Sequence, residues 1–215
     1  MSKPQAGVLL VDKPAGVTSH DVVDAVRKRV STKKVGHGGT LDPMATGLLV
    51  LAIGDATKLL PYLSKGEKDY VATVRLGITT DSDDADGEVT KEIEVQEFTE
   101  SELESAKEAL VGNISQIPPV YSAIKIKGKR AYARARAGEV VEMEPRQVNI
   151  ARFDILDRRL PEVDVRIGCS GGTYIRALAR DWGDRLGVGG HLSALRRLGT
   201  GLFSVDDAIS WSDLV

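Results

Sequence analysis

Two runs of strict alternation constrain this chain most. Tyr70, Ala72, Val74, Leu76 and Ile78 alternate with Val71, Thr73 and Arg75, and Val163, Val165, Ile167 and Cys169 alternate as cleanly. A period of two makes a half-buried strand, one face on a core and the other toward water. Strands of that kind build antiparallel or mixed sheets, because all-parallel sheets read as continuous apolar runs. Leu48 to Ile53 is one such continuous run, and Val8 to Val11 a shorter one. Val148, Ile150, Phe153 and Ile155 predict a further strand with an irregularity.

Helical periodicity falls between these strands. Val22, Val23, Val26 and Val30 form one stripe, with Ser19 as the expected N-cap. Asp55 is expected to cap a short helix through Leu60, and Thr99 with Glu102 makes a capping box before Leu103, Ala106 and Leu110. After Gly171-Gly172, Thr173 is expected to open a helix with Ile175, Leu178, Ala179, Trp182 and Leu186 on its apolar side. The acidic TTDSDDADGE segment reads as a loop. The expected fold is α+β, a mixed and mostly antiparallel sheet flanked by helices, in one sizeable domain or one with a small appendage. The stretch from Gln116 to Gln147 is basic, opens on Pro118-Pro119 and carries AYARARAGE, so it reads as an excursion from the core.

Composition narrows the function classes. No apolar run is long enough to span a bilayer, and the start lacks a signal-peptide pattern, so a cytoplasmic place is the default. The single cysteine, Cys169, allows no internal disulfide and no multi-thiolate metal site, and its alternating run makes it a buried thiol. The net charge of −2 argues against nucleic acid by itself. Its distribution does not. Acidic residues crowd one segment from Asp81 to Glu104, whereas basic residues gather at Arg27 to Lys34, at Lys125, Lys127, Lys129, Arg130, Arg134 and Arg136, and at Arg176, Arg180, Arg185, Arg196 and Arg197. Any one cluster reads as solvated surface; three together favour a polyanionic partner.

The stretch GHGGTLDPMATG, Gly36 to Gly47, sets a lone carboxylate, Asp42, before a proline in a glycine-rich loop. It lacks the Gly-Lys-Ser/Thr ending of a phosphate loop and does not match a dinucleotide fingerprint. On local chemistry alone, Asp before Pro is turn chemistry first. A buried carboxylate needs a partner. Arg176 is a candidate for that part, or else an arginine on an exposed helix face. Tyr70, at a strand end, either packs or stacks on a planar ligand.

Six ordered blocks give the chain a family. They are LLVDKPAGVTSHDVV, KVGHGGTLDPMATGLLVLAIGDATKL, KDYVATVRLGITTDSDDADGEV, IPPVYSAIKIKGKRAYARARAGE, CSGGTYIRALARDWG and LSALRRLGTGLFS. Spread from about Val8 to Ser204, they resemble the bacterial tRNA pseudouridine-55 synthases, the TruB family. The resemblance implies isomerisation of uridine to pseudouridine in the T-arm loop of tRNA, with the base extruded. It implies neither cofactor nor metal. Asp42 matches the catalytic aspartate, acting at C1′ or at C2′. Tyr70 matches the tyrosine that stacks on the flipped base, and Arg176 the arginine that pairs with the aspartate and holds it ionised.

The remaining site residues follow from the same resemblance. Leu195 packs on the base, and His37 stacks into the space the nucleotide leaves. Lys13 and Lys58 are basic residues near the site, with structural or backbone-contact roles, and Tyr174 joins the substrate-binding set. Residues 116–147 form an RNA-gripping insertion, in which Tyr121, Lys125 and Lys129 touch phosphates or pack the segment. Gly38 departs from the family, which often has Thr, Ser or Ala there. Residues 1–204 are the expected catalytic domain, and 205–215 the start of a C-terminal extension whose RNA-binding domain is absent.

Dyskerin-type synthases, which work on RNA within a guide-RNA particle, share the LDP motif. The excursion favours the stand-alone type, so tRNA is the expected partner, with no guide RNA and a monomer. A non-catalytic RNA-binding or RNA-folding module is the alternative, and help with tRNA folding can coexist with catalysis.

Overall fold

The structure, a computed structural model, describes residues 6–122, 124–126 and 128–215; the side chains of residues 125, 126, 129, 130, 132, 133 and 136 lie outside the described set, as does the whole of Lys127. The elements in chain order begin with β1 (Gly7–Lys13), α1 (Ser19–Arg29), β2 (Val35–His37), β3 (Thr46–Ile53), α2 (Leu60–Leu63), β4 (Lys68–Leu76), β5 (Ile78–Thr80), β6 (Val89–Glu92) and α3 (Glu100–Glu108). They continue with β7 (Gly112–Gln116), β8 (Lys125–Ile126), β9 (Lys129–Arg130), α4 (Ala131–Arg136), β10 (Arg146–Arg159), β11 (Glu162–Cys169) and α5 (Ile175–Arg185). Last come β12 (Gly190–Thr200), β13 (Phe203–Ser204), β14 (Ile209–Ser210) and α6 (Trp211–Leu214). The fold is α+β, as expected. Most described strand pairs are antiparallel; β1 with β14 and β3 with β12 are parallel.

Two compact units divide the chain. Met1–Val71, Arg166–Gly171 and Ala194–Val215 form the first, and Ala72–Val165 with Gly172–Ser193 the second. In the first, neighbouring strands run β14-β1-β3-β12. β1 and β3 pair from Gly7↔Ile53 to Lys13↔Gly47, and β2 pairs with the end of β3. Val11, Leu49 and Leu51 of these strands bury against Val22, Val23 and Val26, the inward stripe of α1. Leu214 joins this core and β14 pairs with β1, so residues 205–215 pack within the first unit.

Two capping expectations are corrected here. α1 is capped by Thr18, not Ser19: Thr18 and Asp21 form a reciprocal capping box, which leaves the Ser19 hydroxyl to turn inward. Asp55 caps nothing. Its segment is a 3-10 helix, Gly54–Leu59, without a side-chain cap, and its carboxylate takes Lys34 Nζ at 2.5 Å.

In the second unit, neighbouring strands run β4 (its part from Ala72), β11 (its part up to Val165), β10 and β7. The alternation expected of Val163 to Cys169 is present along β11, with every second residue buried. In β10 the buried phase slips between Ile150 and Phe153, the irregularity read in the sequence. The run through Ile78 does not continue as one strand. Gly77 has φ +82°, and a Cβ there would sit 2.5 Å from Ile93 O, so the chain bends before β5. The Thr99–Glu102 capping box opens α3 as expected. α5 opens at Ile175, two residues later than expected, with no side-chain cap. Its Trp182 meets Phe153 edge-on at 5.3 Å and donates to Leu103 O at 3.2 Å.

The excursion leaves and returns on one rung. Gln116 pairs with Arg146 and Ser115 with Gln147 in the β7–β10 ladder. Between them lie the β8–β9 hairpin and α4. The acidic segment is not wholly a solvated loop: its first two threonines end β5, and Asp84 is 5% exposed.

Candidate active site

The loop around Asp42 is fixed from several sides within the first unit. Ser19 Oγ donates to Leu41 O at 2.9 Å and accepts from Leu41 N–H at 2.8 Å. On the other shoulder, Pro43 O accepts from Gly16 N–H at 2.9 Å and from Lys13 Nζ at 3.3 Å. Ala45 N–H donates to Asp42 O at 3.1 Å, which closes the turn. Asp42 itself is half-buried. A solvated turn aspartate would need none of these anchors.

Lys13 is completely buried, although the sequence places it beside a turn. Its ammonium also donates to Pro14 O at 2.8 Å and Val17 O at 2.6 Å, so all three of its donors go to carbonyls. Burial pushes its pKa down to about 8, against the pull of the Asp42 carboxylate.

Tyr70 lies on the buried face of β4, and burial raises its phenol pKa while Arg197 opposes the shift. His37 ends β2. Burial first, and then Arg197, lower its pKa, so the ring is neutral at pH 7. Leu195 is buried in β12, and its carbonyl accepts from Thr46 Oγ1 at 3.4 Å, four residues past Asp42. Lys58 is exposed, 3.8 Å from Asp55.

Two residues of this cluster escaped the sequence reading. Lys68 shares the buried face of β4 with Tyr70 and donates to Ser64 O at 2.9 Å and Gly66 O at 3.0 Å. Arg197 is 2% exposed and reaches Leu48 O and Gly39 O at 2.7 and 3.1 Å. The alternation that locates β4 extends two residues back to Lys68, which was the available signal. For Arg197 the only signal was its place in LRRL.

In the second unit, Arg176 is buried, not on an exposed helix face. Its Nη1 lies 3.2 Å from Asp84 Oδ2 and donates to Ser82 O at 2.9 Å, while Nη2 donates to Tyr121 O at 3.0 Å. Three further hydrogen bonds tie the root of the excursion to α5 and its N-cap, Tyr174. The Gln116 side-chain amide exchanges bonds with both backbone groups of Tyr174, at 2.9 and 3.1 Å, and Arg180 donates to Ile117 O at 2.8 Å. The backbones of Lys125 and Lys129 lie in the β8–β9 hairpin; their side chains are outside the described set. A cavity of about 650 Å³ in this unit is lined by Arg75, Ile93, Phe98, Arg158 and Pro161, among others, and by none of the expected site residues.

A single carboxylate on a braced loop of a mixed α+β sheet fits the class of pseudouridine-forming enzymes, and comparison with known proteins gives the family. The chain belongs to the TruB family of pseudouridylate synthases: the model of that family's N-terminal domain matches residues 27–175. The tRNA pseudouridylate synthase B C-terminal domain matches residues 176–215. tRNA pseudouridine synthase B of Mycobacteroides abscessus is 54% identical over 215 residues, covering 98% of this chain and 72% of that protein. The enzyme of the same name from Thermobifida fusca is 50% identical over 216 residues, covering 97% and 74%. A chain of a crystallised Cbf5–Nop10–Gar1 complex superposes with a TM-score of 0.75 at 32% identity, over 96% of this chain and 53% of that one, so the present chain spans about half its length. The chain is accordingly an isomerase that converts uridine to pseudouridine in tRNA. Among the described residues, no helix is long and apolar enough to cross a membrane.

Proposed function

We propose that the uridine isomerised lies at position 55, in the T-arm loop of tRNA, and that Asp42 carries the chemistry. The bracing of its loop supports this reading most directly: Leu41 and Pro43, the residues on either side, are both held by side chains or backbone from β1, α1 and the turn between them. Anchors of this kind preset the direction of a reacting group. The carboxylate works on the ribose, as nucleophile at C1′ or as base at C2′ of an extruded nucleotide.

Tyr70 offers its ring to the base, Leu195 packs on it, and the neutral His37 ring fills the space left in the stack. Arg176 is assigned the part of keeping the aspartate ionised, with Asp84 steadying the guanidinium in its own unit. Lys13 braces the loop, while Lys58, Tyr174, Lys125 and Lys129 serve RNA binding. Residues 116–147 grip the T-arm, and their ties to α5 at Tyr174, Arg176 and Arg180 support a link between gripping and catalysis. The chain acts as a monomer in the cytoplasm, without guide RNA.

A T-arm stem-loop labelled with tritium at uridine C5 tests the assignment. The parent releases tritium to water as the new C5 bond forms, and Asp42→Asn binds the RNA but releases none. Release by Asp42→Asn at the parent rate would overturn the role of Asp42.

A further inference from the structure

Three buried cations, Lys13, Lys68 and Arg197, lie in the first unit. Each lysine spends its ammonium on nearby carbonyls. Arg197 differs because its planar group spans the loop. Nε donates to Leu48 O at 2.7 Å, six residues after Asp42. Nη2 donates to Gly39 O at 3.1 Å, and Nη1 lies 3.5 Å from Thr40 O, so the two residues before Leu41 are held as well. The guanidinium charge also opposes the rise that burial gives the Tyr70 phenol pKa. Three of the guanidinium's five N–H donors are directed at the two shoulders of the aspartate loop. The backbone of Arg197 is engaged too, paired with Gly47 at the loop's exit.

We propose that Arg197 is a positioning residue for the isomerisation, holding the backbone on both sides of Asp42 in one fixed arrangement. This rests on the assignment of Asp42 above. A buried guanidinium is suited to the task because its fork is rigid and always charged. A lysine ammonium donates from one point and cannot span Leu48, Gly39 and Thr40 together. A cation that served only to stabilise the core would need no such spread of acceptors.

The test uses the full chain, the tritiated T-arm stem-loop and single-turnover rates at saturating enzyme. Parent, Arg197→Lys and Asp42→Asn are compared, with RNA affinity and folded fraction measured for each. Arg197→Lys is expected to bind RNA within about twofold of the parent and to slow chemistry about 100-fold, the usual effect of a displacement near 1 Å. Where Arg197→Lys is poorly folded, Arg197→Gln, which keeps a planar donor, is read in the same way with rates normalised to the folded fraction. A parent-like normalised rate overturns the proposal, as does failure of both variants to fold. Asp42→Asn inactive with Arg197→Lys at full rate overturns this inference alone; Asp42→Asn at full rate overturns the assignment of Asp42 and this inference with it.

Discussion

The Ser19 hydroxyl grips Leu41 on both backbone groups, donating to its carbonyl at 2.9 Å and accepting from its N–H at 2.8 Å. Helix α1 is thereby fastened to the residue before Asp42. The grip exists because Thr18 takes the capping role and frees Ser19 to point inward, where it is 3% exposed.

Ser19→Ala leaves a buried donor and a buried acceptor of Leu41 without that partner. The expected cost is about 1–3 kcal/mol, measured by urea denaturation. Single-turnover tritium release should fall by an order of magnitude or more with RNA affinity unchanged, since the loop shifts and the binding surface does not. A loss of stability with no loss of rate would show that the grip serves the core alone.

Much of the fold was legible because its signals are local. The alternation of β11, the stripe of α1 and the Thr99–Glu102 box all act within a few residues. The Thr18–Asp21 box uses the same chemistry but has Asp in place of Glu or Gln at the third position, and the neighbouring Ser19 looked equally able to cap. The site was less legible. Arg197 read as part of a surface cluster and the full burial of Lys13 was not foreseen, because their partners are carbonyl oxygens, which every residue has and no sequence pattern displays. Asp84 was hidden in an acidic run for a related reason: its partner, Arg176, is 92 positions away.

Lys13 gives the protein a pH dependence of unusual sign. Its folded pKa of about 8 lies below the unfolded value of 10.5, so between these values the unfolded chain binds more protons than the folded one. Stability therefore rises with pH across that window, by at most about 1.4 kcal/mol per unit. Lys13→Met removes this contribution. Urea unfolding of parent and variant at pH 7 and pH 9 should show the parent gaining on the variant at the higher pH. A constant difference would place the folded pKa near its ordinary value.

Gly47 cannot be exchanged. Its φ is +100°, and a Cβ would fall 2.2 Å from Arg197 O and 2.7 Å from Arg197 N, both backbone atoms. Gly47→Ala must therefore break the parallel rung between β3 and β12, at the exit of the aspartate loop. The expected penalty exceeds about 3 kcal/mol, in the tail of single-substitution effects. Thermal unfolding by circular dichroism checks it, and a melting temperature within a few degrees of the parent would refute the close approach.

Asp83 carries the opposite pH signature, in the second unit. Burial raises its pKa to about 6 from 3.8, although Arg180 Nη1 donates to its Oδ2 at 2.7 Å. Between pH 3.8 and about 6 the folded chain binds the extra proton, so this residue's contribution to stability falls as pH rises through that window and stays low above it. Asparagine accepts the left-handed backbone at this position, φ 63°, and can still accept from Arg180. Asp83→Asn should abolish the slope, so that stability relative to the parent increases from pH 4 to pH 6.5 in urea titrations. A parallel pair of pH–stability curves would show that the ion pair with Arg180 outweighs burial and that the carboxylate titrates alike in both states.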